Sequence, residues 1–268
     1  MNAPVTTPVL LREDADNIAI LTLNRPRERN SLSEALIAAL GAMLAALASD
    51  ARVRVVVLAA NGPAFSAGHD MKEMTARRAD ADRGRAYFRQ LMDACSAMMQ
   101  AIVQLPKPVI TCVHGPASAA GCQLVASCDL AVASDTAKFA TPGVNIGLFC
   151  STPMVALARN VARKHAMEML LTGDMIDARE AQRIGLVNRV VPAGSERDAA
   201  LALARQIAAK SALTVKIGKE AFYRQLEMSL AEAYRYASDV MVENMLARDA
   251  EEGIGAFIEK RPPSWEDR

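Results

Sequence analysis

The segment from Arg52 to Ala60 most constrains the fold, because Val53, Val55, Val56, Val57 and Leu58 place β-branched or aliphatic side chains at every position from 53 to 58 except Arg54. Successive side chains on a strand point to opposite faces, so such a run can only be stable where both faces are covered, as in a sheet buried between layers. The preceding residues supply one cover. Leu36, Leu40, Met43, Leu44 and Leu47 recur at helical period, and Ser31 and Glu34 have the spacing of a capping box at the start of that helix. Residues 17 to 23 (NIAILTL) alternate and stop at Asn24-Arg25-Pro26, which predicts a strand ended by a turn. The first third therefore reads as strand, helix, strand.

The same alternation continues. A helix from about Ala86 to Leu105 is stopped by Pro106 and Pro108, Val109 to Val113 predicts a strand, and Gly115-Pro116 a turn. Ser118-Ala119-Ala120-Gly121-Cys122-Gln123 forms the next strand-to-helix junction, with short strands expected at Leu130 to Ala133 and Lys138 to Ala140. The polar stretch from Thr75 to Arg85 reads as mobile surface. After Pro153 helical periodicity dominates, at 196 to 209, 213 to 226 and 229 to 247, interrupted by a strand at Val187 to Val191. The fold class is α/β. A soft boundary near 200 divides a layered core, 1–199, from a helical region, 200–268, that packs on its own core or on a neighbouring subunit.

Composition narrows the function. The 31 basic and 30 acidic residues leave a net charge of +1, which gives no electrostatic reason to expect nucleic acid or an anionic membrane as partner. Five cysteines, Cys95, Cys112, Cys122, Cys128 and Cys150, lack paired metal-ligand spacing and sit mostly in apolar stretches, so no metal is expected and the thiols point to a reducing, cytoplasmic compartment. The opening MNAPVTTPVLLRED lacks the basic and apolar segments of a leader, and no apolar run reaches membrane-spanning length.

Two small-residue loops follow buried strands, Ala64-Phe65-Ser66-Ala67-Gly68-His69-Asp70 and Gly115 to Gly121. In open α/β sheets ligands collect at the carboxyl ends of strands, and small side chains let a ligand oxygen approach backbone N–H groups. Either loop alone reads more readily as a plain structural turn.

Together with Asn24-Arg25-Pro26, Pro106-x-Pro108-Val109-Ile110, Ala119-Ala120-Gly121-Cys122, Cys128-Asp129, Leu171-Thr172-Gly173, Ala181 to Val187 and Ala256-Phe257-x-Glu259-Lys260-Arg261, these loops resemble, in order and spacing, the enoyl-CoA hydratase/isomerase (crotonase) family. Ala119 to Val132 and Phe139 to Pro153 narrow the resemblance to one branch of it. The resemblance implies a crotonase-like ββα spiral with a C-terminal helical trimerisation region, assembled as a homotrimer or a hexamer made of two trimers. It implies an acyl-CoA ligand, with coenzyme A as part of the substrate and no separate cofactor. It also implies an oxyanion hole built from the backbone N–H groups of His69 and Ala120, where Ala120 replaces the usual glycine but keeps its N–H. Ala67, Gly68, Asp70, Met71 and Gly121 fall at positions around the substrate. Lys72 and, from a neighbouring subunit, Phe257 and Lys260 match positions used around the nucleotide.

One part of the pattern is broken. Hydration of an enoyl thioester needs a water between two carboxyl groups, and at the two matching positions this chain has Gln123 and Gly143. Glutamine orients water but is not basic, and glycine has no side chain. The readings left open are an acyl-CoA enzyme that needs only enolate stabilisation, such as decarboxylation of a malonyl-type thioester, a non-catalytic acyl-CoA binding or scaffold protein, and hydratase chemistry through other groups. The His69 ring and Asn145 are candidate substitutes. His114, His165, Cys122 and Cys150 read as structural or surface groups, Asp70 and Asp129 as backbone caps, and Met71, Met74, Met92, Met98 and Met99 as core or pocket lining.

Overall fold

The computed structural model describes residues 7–268; residues 1–6, the start of the stretch read for a leader, lie outside the described residues. The chain opens with a hairpin, β1 (Leu10–Ala15) and β2 (Ile18–Leu23), joined through Asp16 and Asn17, whose φ angles of 53° and 62° suit a two-residue hairpin turn. Charges along β1 hid it from the sequence reading and mark it as an edge strand, half-buried at its start and exposed at its end. Then come α1 (Glu34–Ser49), β3 (Val55–Ala60), α2 (Met71–Ala76), α3 (Arg85–Gln104) and β4 (Val109–Val113). β5 (Ala117–Ser118), α4 (Ala120–Ser127), β6 (Leu130–Ser134) and β7 (Lys138–Ala140) follow, then α5 (Ser151–Asn160), α6 (Arg163–Thr172), β8 (Ile176–Asp177), α7 (Ala178–Arg183) and β9 (Arg189–Val191). The chain ends in α8 (Glu196–Ala208), α9 (Ala212–Gln225), α10 (Leu230–Met245) and α11 (Arg248–Glu259). Among the described residues no helix is long and apolar enough to cross a membrane.

The main sheet has the order β1-β2-β3-β4-β6-β9, parallel except for the opening hairpin. A smaller sheet, β5-β7-β8, stands beside it. The run that is apolar on both sides divides as its periodicity requires. Val56 and Leu58 face the core beneath α1 and α3, with Leu36, Leu40, Leu44, Leu91 and Ile102. Val55, Val57 and Ala59 face the other way, against Ala200, Leu203 and Ala204 of α8. Because α8 covers this second face, the soft boundary near 200 falls inside a helix that packs on the core sheet.

One local expectation is corrected. The cap of α1 is Ser33, whose Oγ accepts from Leu36 N at 3.2 Å, whereas the Ser31 Oγ donates to Asp70 Oδ2 at 3.1 Å. Ser31 lies too far ahead of the first turn to cap it, so the proposed Ser31/Glu34 box does not form. The stretch from Thr75 to Arg85 is exposed apart from Gly84, as expected of surface, and carries the end of α2 and a 3-10 turn, Arg77–Ala79, with the Arg77 guanidinium 5.0 Å above the Tyr87 ring.

α9 is tied to the core by a buried ion pair. Lys219 Nζ donates to Asp129 Oδ2 at 2.7 Å and to the carbonyls of Ile102 and Lys107, both at 3.0 Å, while the Tyr223 hydroxyl donates to Asp129 Oδ1 at 2.9 Å. Asp129 also accepts from Val109 N at 2.7 Å, so it joins the start of β4 to a helix ninety residues later. Removing one partner of a buried pair leaves the other charge desolvated. Lys219→Met is therefore expected to lower unfolding stability by about 3 kcal/mol in urea melts. A loss within about 0.5 kcal/mol, the scale of a surface change, would show that the pair does not hold α9.

Candidate functional site

The segments that leave β2, β3 and β4 meet at the carboxyl ends of these adjacent parallel strands. Residues 65–70 run between the other two as a short middle strand. On one side Ala67 N donates to Arg29 O at 3.0 Å, Leu32 N to Gly68 O at 2.7 Å and Asp70 N to Leu32 O at 3.2 Å. On the other, Phe65 N donates to Pro116 O at 3.0 Å and Ser118 N to Ser66 O at 2.9 Å. Isolated parallel bridges result at Leu32–His69 and Ser66–Ala117. In a parallel bridge the central residue of one strand bonds the neighbours of its partner, so the N–H of His69 points away from Leu32.

Gly68 brings that N–H to the second loop. Its φ is 90°, and a Cβ on it would lie 3.0 Å from Ser118 O and from Ala119 Cβ, and 3.3 Å from Ala120 N. A Cβ on Gly121 would overlap the Ser66 carbonyl, so both glycines are needed for close approach. Ala119 takes φ 50°, ψ −117°, a conformation costly for any residue with a Cβ, and its N–H donates to Ala140 O at 2.9 Å. Ala120 begins α4, where the first N–H groups have no intrahelical partner and the dipole favours negative charge. Among the described residues neither His69 N nor Ala120 N has a hydrogen-bond acceptor.

The Asp70 carboxylate is fully engaged. Oδ1 accepts from Lys72 N and Glu73 N, and Oδ2 from Arg25 and Ser31, interactions that outweigh burial and hold it below the usual carboxylate range. It caps α2 and ties the middle segment to Arg25. Arg25, Ser31 and Asn30, whose side-chain amide donates to the carbonyls of Asn61 and Ala64, escaped the site reading because their partners are distant in sequence. Ala67, Met71 and Lys72 are exposed at the rim. Phe257, 84% exposed, and Lys260 lie at the end of α11, and no hydrogen bond among the described residues joins them to this junction.

Around the two amides the chain buries uncharged polar groups. Burial holds the His69 ring below its ordinary 6.5; the Leu32 backbone lies near enough to oppose the shift, but neither buried ring nitrogen meets it, or any other group, in full hydrogen-bond geometry. Gln123, one turn into α4, has an unpartnered Oε1. Gly143 is enclosed, and a Cβ there would lie 2.9 Å from Leu148 O and 3.0 Å from Cys150 Sγ. Asn145 is exposed. His114 Nε2 bonds Gly62 O at 2.7 Å, a structural contact. Burial pushes the Cys122 thiol up to about 12 and raises that of Cys150, away from a reactive thiolate. Met98 and Met99 are core, Met74 and Met92 pack on its edge, and Met71 is exposed. Among the described residues no cluster of three His, Cys, Asp or Glu side chains could hold a metal. Two surface clefts, one along Asp14–Ile18 with Arg52 and Val53, the other between His165 and Ile184, include no residue of the junction.

Because Gly143 has no room for a side chain, adding Gly143→Glu to Gln123→Glu is expected to cost a further ~1–3 kcal/mol through overpacking. Equal stability of the two variants would show that the 148–150 turn gives way freely. A His69 pKa lowered in the folded state means that the unfolded chain binds a proton more readily. His69 therefore contributes stability that is full above pH 6.5 and is lost as pH falls below it. The ring should titrate below 6.5 by NMR, and a midpoint at or above that value would contradict its burial as a neutral group.

The profile described as Enoyl-CoA hydratase/isomerase matches residues 13–268. Enoyl-CoA hydratase domain-containing protein 3, mitochondrial, of Rattus norvegicus is 48% identical over 250 residues, 93% of this chain and 82% of the relative. The crystal structure of an enoyl-CoA hydratase from Mycobacterium smegmatis superposes with a TM-score of 0.92 at 52% identity, covering 97% of this chain and 99% of that one. That of human enoyl-CoA hydratase domain-containing protein 3 gives 0.91 at 47%, covering 96% and 100%. With the strand-end junction in place and likeness along nearly the whole chain, this protein belongs to the enoyl-CoA hydratase/isomerase family, on the branch of enoyl-CoA hydratase domain-containing protein 3.

Proposed function

We propose that this chain binds an acyl-CoA by its thioester, receiving the carbonyl oxygen between the N–H groups of His69 and Ala120. The support for the reading is that both amides lack acceptors and that Gly68, the residue before His69, lies so close to the second loop that a Cβ on it would be 3.3 Å from Ala120 N. Two preorganised donors stabilise the negative charge that an enolate places on oxygen, and losing one such donor typically raises the barrier by about 3 kcal/mol. Ala67, Gly68, Asp70, Met71 and Gly121 shape the approach, and Lys72 together with Phe257 and Lys260 of a neighbouring copy meets the nucleotide end.

Ordinary hydration is not part of this reading. Gln123 supplies a neutral amide, Gly143 supplies nothing, and Leu148 and Cys150 crowd the space where a second carboxylate would stand. Loss of each acid or base removes roughly 10²- to 10⁴-fold in rate. Calorimetric titration with crotonyl-CoA, butyryl-CoA and malonyl-CoA, followed by mass spectrometry of the ligands, tests this. Acyl-CoAs should bind more tightly than coenzyme A alone, and crotonyl-CoA should be hydrated at least about 10²-fold more slowly than by an ordinary hydratase. Hydration at an ordinary rate contradicts the reading. Recovery of unchanged ligands favours a binding protein, and loss of carbon dioxide from malonyl-CoA favours decarboxylation.

Assembly as a homotrimer, or as two trimers in a hexamer, is the companion proposal. Its support is the exposed apolar surface of the C-terminal helices, including Phe222, Leu226, Leu230, Tyr234 and Leu246. Large exposed apolar patches mark association surfaces. Light scattering should give three or six times the chain mass of 28.7 kDa, and a monomer would refute it. The five buried thiols suit a reducing compartment, and the cytoplasm remains our placement, although the rat relative is mitochondrial by name.

A further inference from the structure

From the helix that carries Phe257 and Lys260, and resting on the nucleotide contacts given to them in the proposed function, we infer that residues 261–267 form a strap that sets the direction of α11 and so positions both side chains for the nucleotide end of a neighbouring copy's ligand. Asp249 and Glu252 are then positioning residues, which act on Phe257 and Lys260 through the strap. Apolar packing does little to fix α11. Its buried residues are Asp249 and Ala256, while Ile254, Phe257 and Ile258 are exposed.

Polar contacts fix it instead. At the end of α11 Lys260 takes φ 57°, ψ 38°, the left-handed conformation that closes a helix, and Arg261 N donates back to Ala256 O at 3.0 Å. The chain thereby reverses and returns along the helix. Glu252 Oε1 accepts from Arg261 Nη1 at 2.6 Å and from Ser264 N at 2.9 Å, and Oε2 accepts from Arg261 Nη2 at 3.0 Å. The Arg261 guanidinium holds this carboxyl down to about 2. Nearer the start of the helix Asp249, 2% exposed, accepts from Glu266 N on Oδ1 at 2.7 Å and from Asp267 N on Oδ2 at 3.0 Å. Between them Trp265 lies over Gly253, where a Cβ would be 3.1 Å from the indole, and its Nε1 donates to Ala209 O at 3.0 Å. Asp267 completes the strap. Its Oδ1 accepts from Ala212 N at 2.7 Å, at the start of α9, and its Oδ2 pairs with Arg54, which also donates to Ala208 O and Lys210 O, both at 3.1 Å.

Arg54 stands just before β3, at the opposite end of that strand from the junction. The strap therefore anchors α11 on the far edge of the sheet from the chain's own site, which suits side chains offered to another copy. The backbone of Lys260 points the same way. A left-handed φ is costly for any residue with a Cβ, and glycine is the usual occupant of such a helix end. A strained residue of this kind directs attention to the use of its side chain. Because the residue that turns the strap is also the one offered to the ligand, the path of the strap and the position of the ammonium are set together. Phe257 lies three residues earlier, its neighbour on the helix surface. Fixing the backbone that carries both side chains before the ligand arrives removes part of the ordering cost of binding.

Asp249→Asn and, separately, Arg261→Met should open the strap, and Trp265, the one tryptophan of the chain, reports its release by a red shift of emission. Coenzyme A and butyryl-CoA are then titrated against the full chain by calorimetry. In each variant the affinity for coenzyme A should fall about tenfold, while the ratio of butyryl-CoA to coenzyme A affinity stays as in the unaltered protein. Added to Phe257→Ala with Lys260→Ala, Asp249→Asn should cost no further affinity, a non-additivity that independent destabilisation does not give. A red shift with unchanged coenzyme A affinity overturns the inference, as does a loss that adds in full to that of the Phe257 and Lys260 variant. No red shift in either variant shows that these contacts do not hold the strap, and overturns it as well. A smaller assembly by light scattering assigns the strap to subunit contact and has the same effect. If butyryl-CoA binds no more tightly than coenzyme A, the proposed function falls while the strap is still judged on coenzyme A alone; if coenzyme A itself does not bind, both fall. Should Asp249→Asn fail to fold, Arg261→Met, at a side chain 43% exposed, decides.

Discussion

The site depends on the pairing of residues 65–70 with two other strand-end segments at once. Leu32 takes the carbonyl of Gly68 and the N–H of Asp70, while Ser66 exchanges bonds with Pro116 and Ser118. Parallel geometry then turns the N–H of His69 outward, and the missing Cβ of Gly68 lets Ala120 come alongside. Interactions a few residues away maintain this placement. Asp70 is locked by Arg25 and Ser31, Asn30 holds the carbonyls of Asn61 and Ala64, and Ala119 accepts an unfavourable φ to start α4 at the right point.

Behind the junction stands a sheet whose two faces are finished by different parts of the chain. α1 and α3 cover one face early in the sequence, and α8 closes the other late, so the strands that carry the loops are buried only once residue 208 has been reached. Lys219 and Tyr223 continue the tie through Asp129, just beyond α4. The C-terminal helices are therefore part of what keeps the strand ends in register, while their outer apolar surface stays exposed.

Much of this could be read from residues alone, for identifiable reasons. The valine run at 53–58 announced a covered strand because no half-exposed strand tolerates it, and the proline stops at 106 and 108 fixed the end of α3 within a residue or two. Small residues at 64–70 and 115–121 pointed to both loops, since close backbone approach leaves a trace in composition. What was not legible depends on distant partners. Ser31 looked like a cap because its bond to Asp70 crosses thirty-nine positions. β1 was hidden by edge charges, and β8 was too short for any period to show. Thr141, fully buried with its hydroxyl unpartnered, gave no signal, because an unpaired hydroxyl is a property of its surroundings. Gly143 read as a missing carboxylate, and only the fold of 148–150 reveals that the space itself is closed.

The most direct test observes the two amides themselves. Assigned amide NMR spectra recorded with an acyl-CoA, and again with coenzyme A alone, should show the proton resonances of His69 and Ala120 moving downfield with the thioester only, as donors do on gaining an acceptor. If both resonances stay in place while the acyl-CoA binds elsewhere, or if they move equally with coenzyme A alone, the thioester oxygen does not lie between them.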